Sequence, residues 1–281
     1  MILITKTALL IQHLEKHKRK GLTIGFVPTM GALHPGHLSL IEASKKQNQL
    51  TVACIFVNPV QFNNSKDFEK YPVTLEKDIE LLAKAGCDIV FHPNVEEIYP
   101  GGFPVSEHFD IGYLESILEG KYRPGHFQGV CKVMFRLLTI VKPQQLFMGQ
   151  KDYQQCLVVK KLIQIMRSDI QLIECPTLRE PDGLAMSSRN LRLSEEERQH
   201  ANGIWQTLQY LKEHIHTGET SSVINHSKSI LGEKKFNIDY IEIADAITLQ
   251  LLTHWDGRQK IVALIAAFQN EVRLIDNLLL N

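Results

Sequence analysis

Short apolar runs alternate with longer amphipathic segments as far as about Cys175, and this alternation limits the possible folds more than any other feature. A short apolar or β-branched run predicts a buried strand, and an amphipathic segment predicts a helix. Their regular alternation is typical of a parallel sheet with helices on both faces. The predicted strands are 22–27, 51–57, 88–91, 146–148 and 170–174, and the predicted helices are 38–47, 75–85, 130–141 and 153–166.

The pattern changes after Cys175. Ser194 and Glu197 form a predicted capping box, which opens a long helix towards His216. Three further apolar runs, 236–243, 261–268 and 272–275, predict strands. The 281 residues suit two modest domains. We therefore expect a Rossmann-like α/β domain at residues 1–176 and a smaller C-terminal α+β lid domain at 177–281.

The composition excludes several classes of protein. Lys plus Arg and Asp plus Glu each total 31, so the net charge is zero and no broad nucleic-acid surface is expected. The five cysteines contain no CxxC pair, which favours free thiols in a reducing cytosol over disulfides or a zinc site. No apolar run approaches the roughly 20 residues of a membrane span. The sequence thus predicts a cytoplasmic protein with neither nucleic acid nor a membrane as partner.

The segment after the first predicted strand carries the strongest chemical signal. Residues 28–37 read PTMGALHPGH, with glycines that allow close backbone approach and two histidines three residues apart at the start of a helix. A helix N-terminus attracts anions, and imidazole N–H groups there can donate to phosphate. Two surface histidines in a turn are the plain alternative, and a zinc site lacks cysteine or carboxylate ligands. The segment predicts a nucleotide site.

Four other segments are ambiguous from their residues alone. The segment 149–155, GQKDYQQ, joins a strand to a helix, where α/β sheets bind ligands, but Asp152 also suits a helix cap. The segment 182–190, DGLAMSSRN, can close over a triphosphate or simply link two domains. The segments 58–62, NPVQF, and 121–127, KYRPGHF, suit either a site or ordinary loops.

Taken together, these segments resemble one known family. PTMGALHPGH resembles the "HIGH" motif of the nucleotidyltransferase superfamily, and MSSRN resembles its "KMSKS" loop. The full set is similar to the pantoate–β-alanine ligase (pantothenate synthetase) family: FVPTMGALHPGH, FVNPVQF, YRPGHFQGV, GQKDYQQ, DGLAMSSRN and RLIDN, spanning about residues 20 to 277. The resemblance implies an ATP-dependent enzyme that joins pantoate to β-alanine through a pantoyl adenylate, with Mg²⁺ present. It also implies a homodimer.

The resemblance assigns residues to roles. It implies His37, His34 and Lys151 as catalytic residues that contact the phosphates, with His37 the proton donor, and Asp78 as a metal ligand. It implies substrate contacts from Gln61, Gln155, Asn58 and Arg123. The ATP site it implies comprises Met30, Gly31, Ala32, Leu33, His34, Pro35, Gly36, His37, Gly149, Gln150, Lys151, Asp152, Leu178, Met186, Ser187, Ser188 and Arg189.

Three places depart from the family's pattern. Gln150 stands where the family usually has Glu, Lys77 interrupts an acidic run next to Asp78, and the segment 268–272 lacks the usual glycine. The nearest alternative function is an adenylyltransferase acting on a phosphorylated substrate, which needs extra basic residues. Gln61, Gln155 and the apolar Phe62 favour pantoate.

Overall fold

The computed structural model describes residues 1–63, 65–103 and 107–281 and divides the chain into two compact units. The first unit comprises Met1–Gln150 and Gln154–Pro176. The second comprises Thr177–Asn281 together with the tripeptide Lys151–Tyr153. No helix in the described part of the chain is long and apolar enough to span a membrane.

The first unit is built on a six-stranded, all-parallel sheet with the order β1-β4-β3-β2-β5-β6. Its strands are β1 (Ile2–Ile4), β2 (Ile24–Thr29), β3 (Leu50–Ile55), β4 (Ile89–Phe91), β5 (Gln145–Gly149) and β6 (Gln171–Cys175). Its helices are α1 (Thr7–Lys18), α2 (Pro35–Gln47), α3 (Ser65–Glu69), α4 (Leu75–Lys84), α5 (Val95–Ile98), α6 (Leu118–Tyr122), α7 (His126–Val141) and α8 (Tyr153–Ile165), with 3₁₀ turns at Pro59–Gln61, Gly112–Glu115 and Gln150–Asp152.

Apolar side chains cover both faces of this sheet. On β2, Phe26 packs in a cluster with Leu10 of α1 and Leu138 of α7. The next residue, Val27, packs in a separate cluster with Ile41 of α2 and Leu82 of α4. Successive side chains of a strand point to opposite faces, so the two clusters are the two sides of one parallel sheet.

The strand order creates a crevice at one edge of the sheet. β2, β3 and β4 follow one another in one direction, whereas β5 lies on the other side of β2. The connections that leave the carboxyl ends of β2 and β5 therefore run to opposite sides. In open α/β sheets, ligands bind at such a switch point. The candidate segments after β2, β3 and β5 all begin at this edge.

The second unit is α+β. Its helices are α9 (Glu195–Ala201), α10 (Gly203–His214) and α11 (Ser221–Glu233), preceded by a 3₁₀ turn at Ser188–Arg192. Its strands are β7 (Gly218–Glu219), β8 (Asn237–Asp245), β9 (His254–Trp255), β10 (Ile261–Gln269) and β11 (Val272–Leu279). β8, β10 and β11 form an antiparallel sheet, and β7 pairs with β9. A core that includes Leu208, Leu231 and Ile265 joins helices to sheet.

The predicted fold class is confirmed: a parallel sheet with helices on both faces is followed by a smaller α+β part. The long helix predicted from Ser194 is wrong in one respect, because it is two helices that meet at Asn202 and Gly203. Asparagine and glycine are poor helix formers, so their succession favours a break. The prediction also missed β1, α1 and α11.

Candidate active site

The turn after β2 is fixed by a buried carboxylate. Gly31 and Ala32 both have positive φ, 80° and 49°, so the backbone N–H groups of Ala32 and Leu33 point to one side. Both donate to Asp78 at the start of α4, each at 2.8 Å. Thr74 Oγ1 donates to the same carboxylate at 3.1 Å. Successive N–H groups in such a turn form a cradle for an anion, and here the protein itself supplies the anion.

Glycine is required at the first position of this turn. A Cβ on Gly31 would lie 3.0 Å from Asp78 Oδ2 and 3.3 Å from Ile55 Cγ2. Its φ of 80° is also in the left-handed region that other residues adopt at a cost. The Asp78 carboxylate can reach the turn only because this side chain is missing.

These contacts bear on the roles predicted for Asp78 and for the backbone of Ala32 and Leu33. Asp78 is only 1% exposed and both of its oxygens accept hydrogen bonds, which argues against its predicted role as a metal ligand. Since the N–H groups of Ala32 and Leu33 donate to Asp78, they are not donors to a ligand. Among the residues that the structure describes, no group of three or more His, Cys, Asp or Glu side chains is placed to hold a metal.

His34 and His37 lie side by side where α2 begins. Their ring centroids are 4.0 Å apart, and the backbone N–H of His34 donates to His37 Nδ1 at 3.3 Å. Because Nδ1 accepts this bond, the proton of the neutral His37 ring is on Nε2. Pro35 has no N–H, and the Gly36 N–H has no acceptor among the described residues. The helix N-terminus thus offers the Gly36 N–H and a favourable dipole to an anion.

The segment after β3 places Gln61 beside this turn. Gln61 Nε2 lies 2.9 Å from Met30 Sδ, so the side chains of Gln61 and Met30 are in direct contact. Both residues are half-buried. This contact brings together two of the residues assigned to different substrates by the sequence analysis.

Asn58 holds the turn that contains Gln61 in place. It is 1% exposed, and its Nδ2 donates to Gln61 Oε1 and to Gly129 O, both at 3.1 Å. Its Oδ1 accepts from Tyr99 Oη at 2.9 Å and from Val60 N at 3.3 Å. Since both amide protons and the oxygen are engaged, Asn58 orients Gln61 and has no polar group left for the substrate contact predicted for it.

Arg123 acts on the same segment through His126. Arg123 Nη1 donates to His126 Nε2 at 3.0 Å and lies 3.5 Å from Glu119 Oε2. Arginine can only donate, so His126 Nε2 accepts and its proton is on Nδ1. His126 Nδ1 then donates to Gln61 O at 2.8 Å. In this arrangement Arg123 is tied to the backbone of Gln61, which differs from the direct substrate contact predicted for it.

Gly129 on α7 allows this approach. A Cβ there would lie 2.4 Å from Val60 O and 2.5 Å from Gln61 Cα, distances that real side chains do not reach. The helix therefore touches the backbone of the Gln61 turn directly. Gln155, on the first turn of α8, is half-buried, while its neighbour Gln154 is buried and bonds to the backbone of Leu114, Ile117 and Glu119.

The remaining predicted residues lie at the end of β5 and in the second unit. Gly149 ends β5, and Gln150 begins the 3₁₀ turn that contains Lys151 and Asp152. Lys151 and Asp152 belong to the second unit by their contacts: Asn277 Nδ2 donates to Lys151 O at 2.9 Å.

The segment before Met186 is a small hairpin. Met186 N donates to Leu178 O at 3.0 Å, Glu180 N donates to Leu184 O at 2.8 Å, and Leu178 is 41% exposed. Ser187 then caps the 3₁₀ turn by accepting from Arg189 N at 3.2 Å. Ser188 is buried, whereas Met186, Ser187 and Arg189 are half-buried.

Sequence reasoning missed several residues that organise the site. Tyr99, His126 and Gly129 fix the Gln61 turn, and Arg179 pairs with Asp276 in the second unit. A histidine beside Phe127 at the start of a largely apolar segment, His126, was the available signal. Tyr99 carried none, because only its contact with Asn58, 41 residues away in the chain, gives it a role.

Comparison with known proteins is consistent with this geometry. The family model described as pantoate-beta-alanine ligase matches residues 2–279. A pantothenate synthetase from Cytophaga hutchinsonii is 46% identical, covering 100% of this chain and 99% of the relative, and one from Fervidobacterium nodosum is 44% identical over 97% and 99%. A pantothenate synthetase structure from Thermus thermophilus has a TM-score of 0.91 at 39% identity, covering 100% and 99%. A Francisella tularensis pantoate-beta-alanine ligase, complexed with "Beta-gamma ATP" and beta-alanine, has a TM-score of 0.80 at 35% identity, covering 100% and 98%.

Proposed function

We infer the chemistry of the site from one premise: this chain belongs to the pantoate–β-alanine ligase family. It is an enzyme that forms pantothenate from pantoate and β-alanine in an ATP-dependent reaction. The observation that carries the assignment of roles is the turn at the carboxyl end of β2, where two histidines and the N-terminus of α2 stand beside Gln61 and Met30.

The phosphates of ATP bind at the N-terminus of α2. The Gly36 N–H and the dipole of a helix of 13 residues favour negative charge there. His37 Nε2–H donates to a phosphate oxygen, because its Nδ1 is already an acceptor. The His34 ring, whose centroid lies 4.0 Å from that of His37 at an interplanar angle of 42°, supports the same charge. Preorganised donors of this kind stabilise the charge that develops in the transition state.

Pantoate binds next to Gln61. Its hydroxyl and carboxylate groups need both donors and acceptors, which the amides of Gln61 and Gln155 supply. Asn58 and the Arg123–His126 pair hold Gln61 in place from two sides, so its amide is preorganised. Met30 supplies an apolar wall at 2.9 Å from that amide.

The reaction has two balanced steps. A pantoate carboxylate oxygen attacks the α-phosphorus of ATP, the bond to the bridging oxygen breaks, and pyrophosphate leaves. The amine of β-alanine then attacks the acyl carbon of pantoyl adenylate, the acyl–oxygen bond breaks, and AMP leaves with loss of one amine proton. Neither step requires a protein nucleophile. The protein contributes positioning, charge stabilisation and exclusion of water from the adenylate.

The second unit supplies the remaining phosphate contacts and acts as a lid. Lys151 neutralises phosphate charge, and Asp152 accepts from the ribose. The segment Met186–Arg189, which offers two hydroxyls and a guanidinium, closes over the triphosphate. The backbone of Leu178 contacts adenine.

Mg²⁺ enters with ATP. The protein residues do not fit a magnesium cage, since Asp78 is buried under backbone N–H groups and the described residues contain no group of three or more His, Cys, Asp or Glu side chains placed to hold a metal. Mg²⁺ commonly binds through substrate phosphates and keeps several waters, so no such cage is needed. We also propose a cytoplasmic homodimer. Light scattering on the purified protein tests the dimer, and a monomer at micromolar concentration contradicts it.

The test of the function is pyrophosphate release from ATP. We expect release to require pantoate and to proceed without β-alanine, because the amine enters only in the second step. Phosphopantetheine serves as the competing substrate. Release that requires the phosphorylated compound, and not pantoate, would assign the chain to the adenylyltransferases.

The role of His37 is tested by His37→Ala. Loss of a donor to the transition state typically lowers kcat by about 10²–10³-fold while the KM for ATP changes much less. His17→Ala is the matched control, since His17 also lies in a helix with Nδ1 bonded to backbone, at His13 O. An unchanged kcat in His37→Ala removes this residue from the chemistry.

A further inference from the structure

The last strand, β11, contains a polar pair that the function described above does not use. Asp276 and Asn277 are each only 4% exposed, although they lie in a strand that is otherwise largely apolar. Side chains alternate along a strand, so Asp276 faces the same side as Val272 and Leu274 of the apolar core, and Asn277 faces the other side. Buried polar groups of this kind cost free energy unless they are bonded.

Asn277 is bonded to the backbone of Lys151. Its Nδ2 donates to Lys151 O at 2.9 Å, across 126 positions of sequence. Two residues later, Tyr153 Oη donates to Ala246 O at 2.7 Å. The tripeptide Lys151–Tyr153 is therefore held at both ends by the second unit, to which its contacts assign it.

Asp276 holds Asn277 and a second functional segment at once. Its Oδ1 accepts from Asn277 N at 2.8 Å, and its carboxylate pairs with Arg179 through two bonds of 2.5 and 3.1 Å. Arg179 also donates to Asn277 O at 3.3 Å and to Gly183 O at 3.1 Å, within the hairpin that leads to Met186. The Arg179 guanidinium lies 3.9 Å from the centroid of the Trp205 ring, which fixes its position.

The Asp276 carboxyl is buried and lies against the Arg179 guanidinium. Burial raises the pKa of Asp276, while Arg179, the Asn277 N–H and, least of all, the Lys151 charge act to lower it. The charges of both functional segments of the second unit, Arg179 in the hairpin and Lys151 in the tripeptide, therefore act on the Asp276 carboxylate.

We propose that Asn277 is a positioning residue for Lys151. The Asp276–Arg179 ion pair holds Asn277 in place and also attaches the hairpin before Met186 to the same part of β11. This proposal rests on the phosphate contact assigned to Lys151 above. The hydrogen bond from Asn277 sets the backbone of Lys151, and hence the origin of its side chain, before ATP binds. Asn277 itself touches no substrate.

The test uses the full-length enzyme with Asn277→Ala and Asn277→Asp, which both remove the donor, the second with little change in size. The net value of one hydrogen bond corresponds to about a fivefold change in an equilibrium. We therefore expect the dissociation constant of a non-hydrolysable ATP analogue, measured by calorimetry, to rise about fivefold. Pantoate-dependent pyrophosphate release should fall with it, through the KM for ATP and not that for pantoate.

Asn281→Ala is the matched control. Asn281 Nδ2 also donates to a backbone carbonyl, Gln259 O, at 3.0 Å, in the same terminal segment but away from Lys151. Asn281 is exposed and Asn277 is buried, so Asn281→Ala should cost less stability, and it should leave the affinity for the ATP analogue unchanged. Equal effects of the two variants on that affinity overturn the proposal.

A double-mutant cycle with Lys151→Ala separates this proposal from the one it rests on. If Asn277 acts through Lys151, Asn277→Ala has no further effect on analogue affinity in the Lys151→Ala background. If the effects of the two substitutions on analogue affinity add fully, and Lys151→Ala by itself weakens binding, the proposed role of Asn277 is wrong while the phosphate contact of Lys151 stands. A Lys151→Ala enzyme with wild-type affinity and turnover instead overturns the phosphate contact of Lys151.

Discussion

Replacing Asp78 by alanine tests whether this carboxylate is a structural clamp or a metal ligand. The change removes the acceptor of two buried backbone bonds of 2.8 Å, from Ala32 and Leu33. It also removes what holds Ala32 at a φ of 49°, a conformation that costs a non-glycine residue about 1 kcal/mol or more. The turn that carries His34 and His37 should then relax.

The size of the effect follows from these contacts. A buried donor left without an acceptor costs about 1–3 kcal/mol, so two of them cost about 2–6 kcal/mol. A typical domain is stable by only about 5–15 kcal/mol. Asp78→Asn keeps one acceptor oxygen but turns an amide N–H₂ towards the other donor, so about half of the loss, ~1–3 kcal/mol, is expected.

Urea unfolding measured by far-UV circular dichroism gives these free energies from the midpoint and slope. The chain has two tryptophans, Trp205 and Trp255, and both lie in the second unit. Their fluorescence therefore follows the second unit, and should be nearly unchanged in the Asp78 variants. Glu76→Ala is the matched control, because Glu76 is an exposed carboxylate in the same first turn of α4.

If Asp78 were instead a metal ligand, the result would be different. Asp78→Ala would then unfold like Glu76→Ala, within about 0.5 kcal/mol, as is usual for substitutions away from buried contacts. Its activity would be recovered by raising the Mg²⁺ concentration at constant ATP. Those two results together would refute the structural role of Asp78.

Three further outcomes are expected. Gly129→Ala pushes the backbone of Gln61 away, since the new Cβ would lie 2.5 Å from Gln61 Cα, and steady-state kinetics should show a higher KM for pantoate with a smaller change for ATP. The Arg198 guanidinium holds the pKa of Asp182 below its usual value, so this ion pair stabilises the fold above about pH 4, and its contribution is lost as the pH falls further. The difference in Tm between the wild type and Asp182→Asn should therefore shrink from pH 7 to pH 3. A difference in Tm that stays constant over this range contradicts the expected pH dependence. Burial raises the pKa of Cys87 to about 11, so only ~10⁻³ of it is thiolate at pH 8, and mass spectrometry should find it unlabelled by a disulfide reagent until urea is added.

Much of the candidate site could be predicted from local sequence. The glycine-containing turn between β2 and α2, with its two histidines, combines a strand, a turn and a helix start that each follow from neighbouring residues. The family resemblance added the substrates and ATP. Local patterns also located most strands of the first unit, although their ends shifted by a residue or two, as for β2 at Ile24–Thr29.

The bonding partners of individual polar residues could not be predicted in this way. Asp78, Asn58 and Arg123 were assigned to metal or substrate, yet all three bond within the protein. Whether a side chain faces a ligand or the protein depends on which distant segment packs against it. The sequence around Asp78 contains nothing that indicates a turn 45 or 46 positions earlier in the chain.

By itself, the sequence determined the α/β architecture, the order of the motifs and the family, because periodicity and motif chemistry are local properties of the chain. The tertiary structure alone decided that the turn after β2 is held by Asp78, that Gln61 is oriented by Asn58 and His126, and that Lys151 is bonded to Asn277. Each of these contacts satisfies a buried polar group, and its partner exists only once separate elements have packed together.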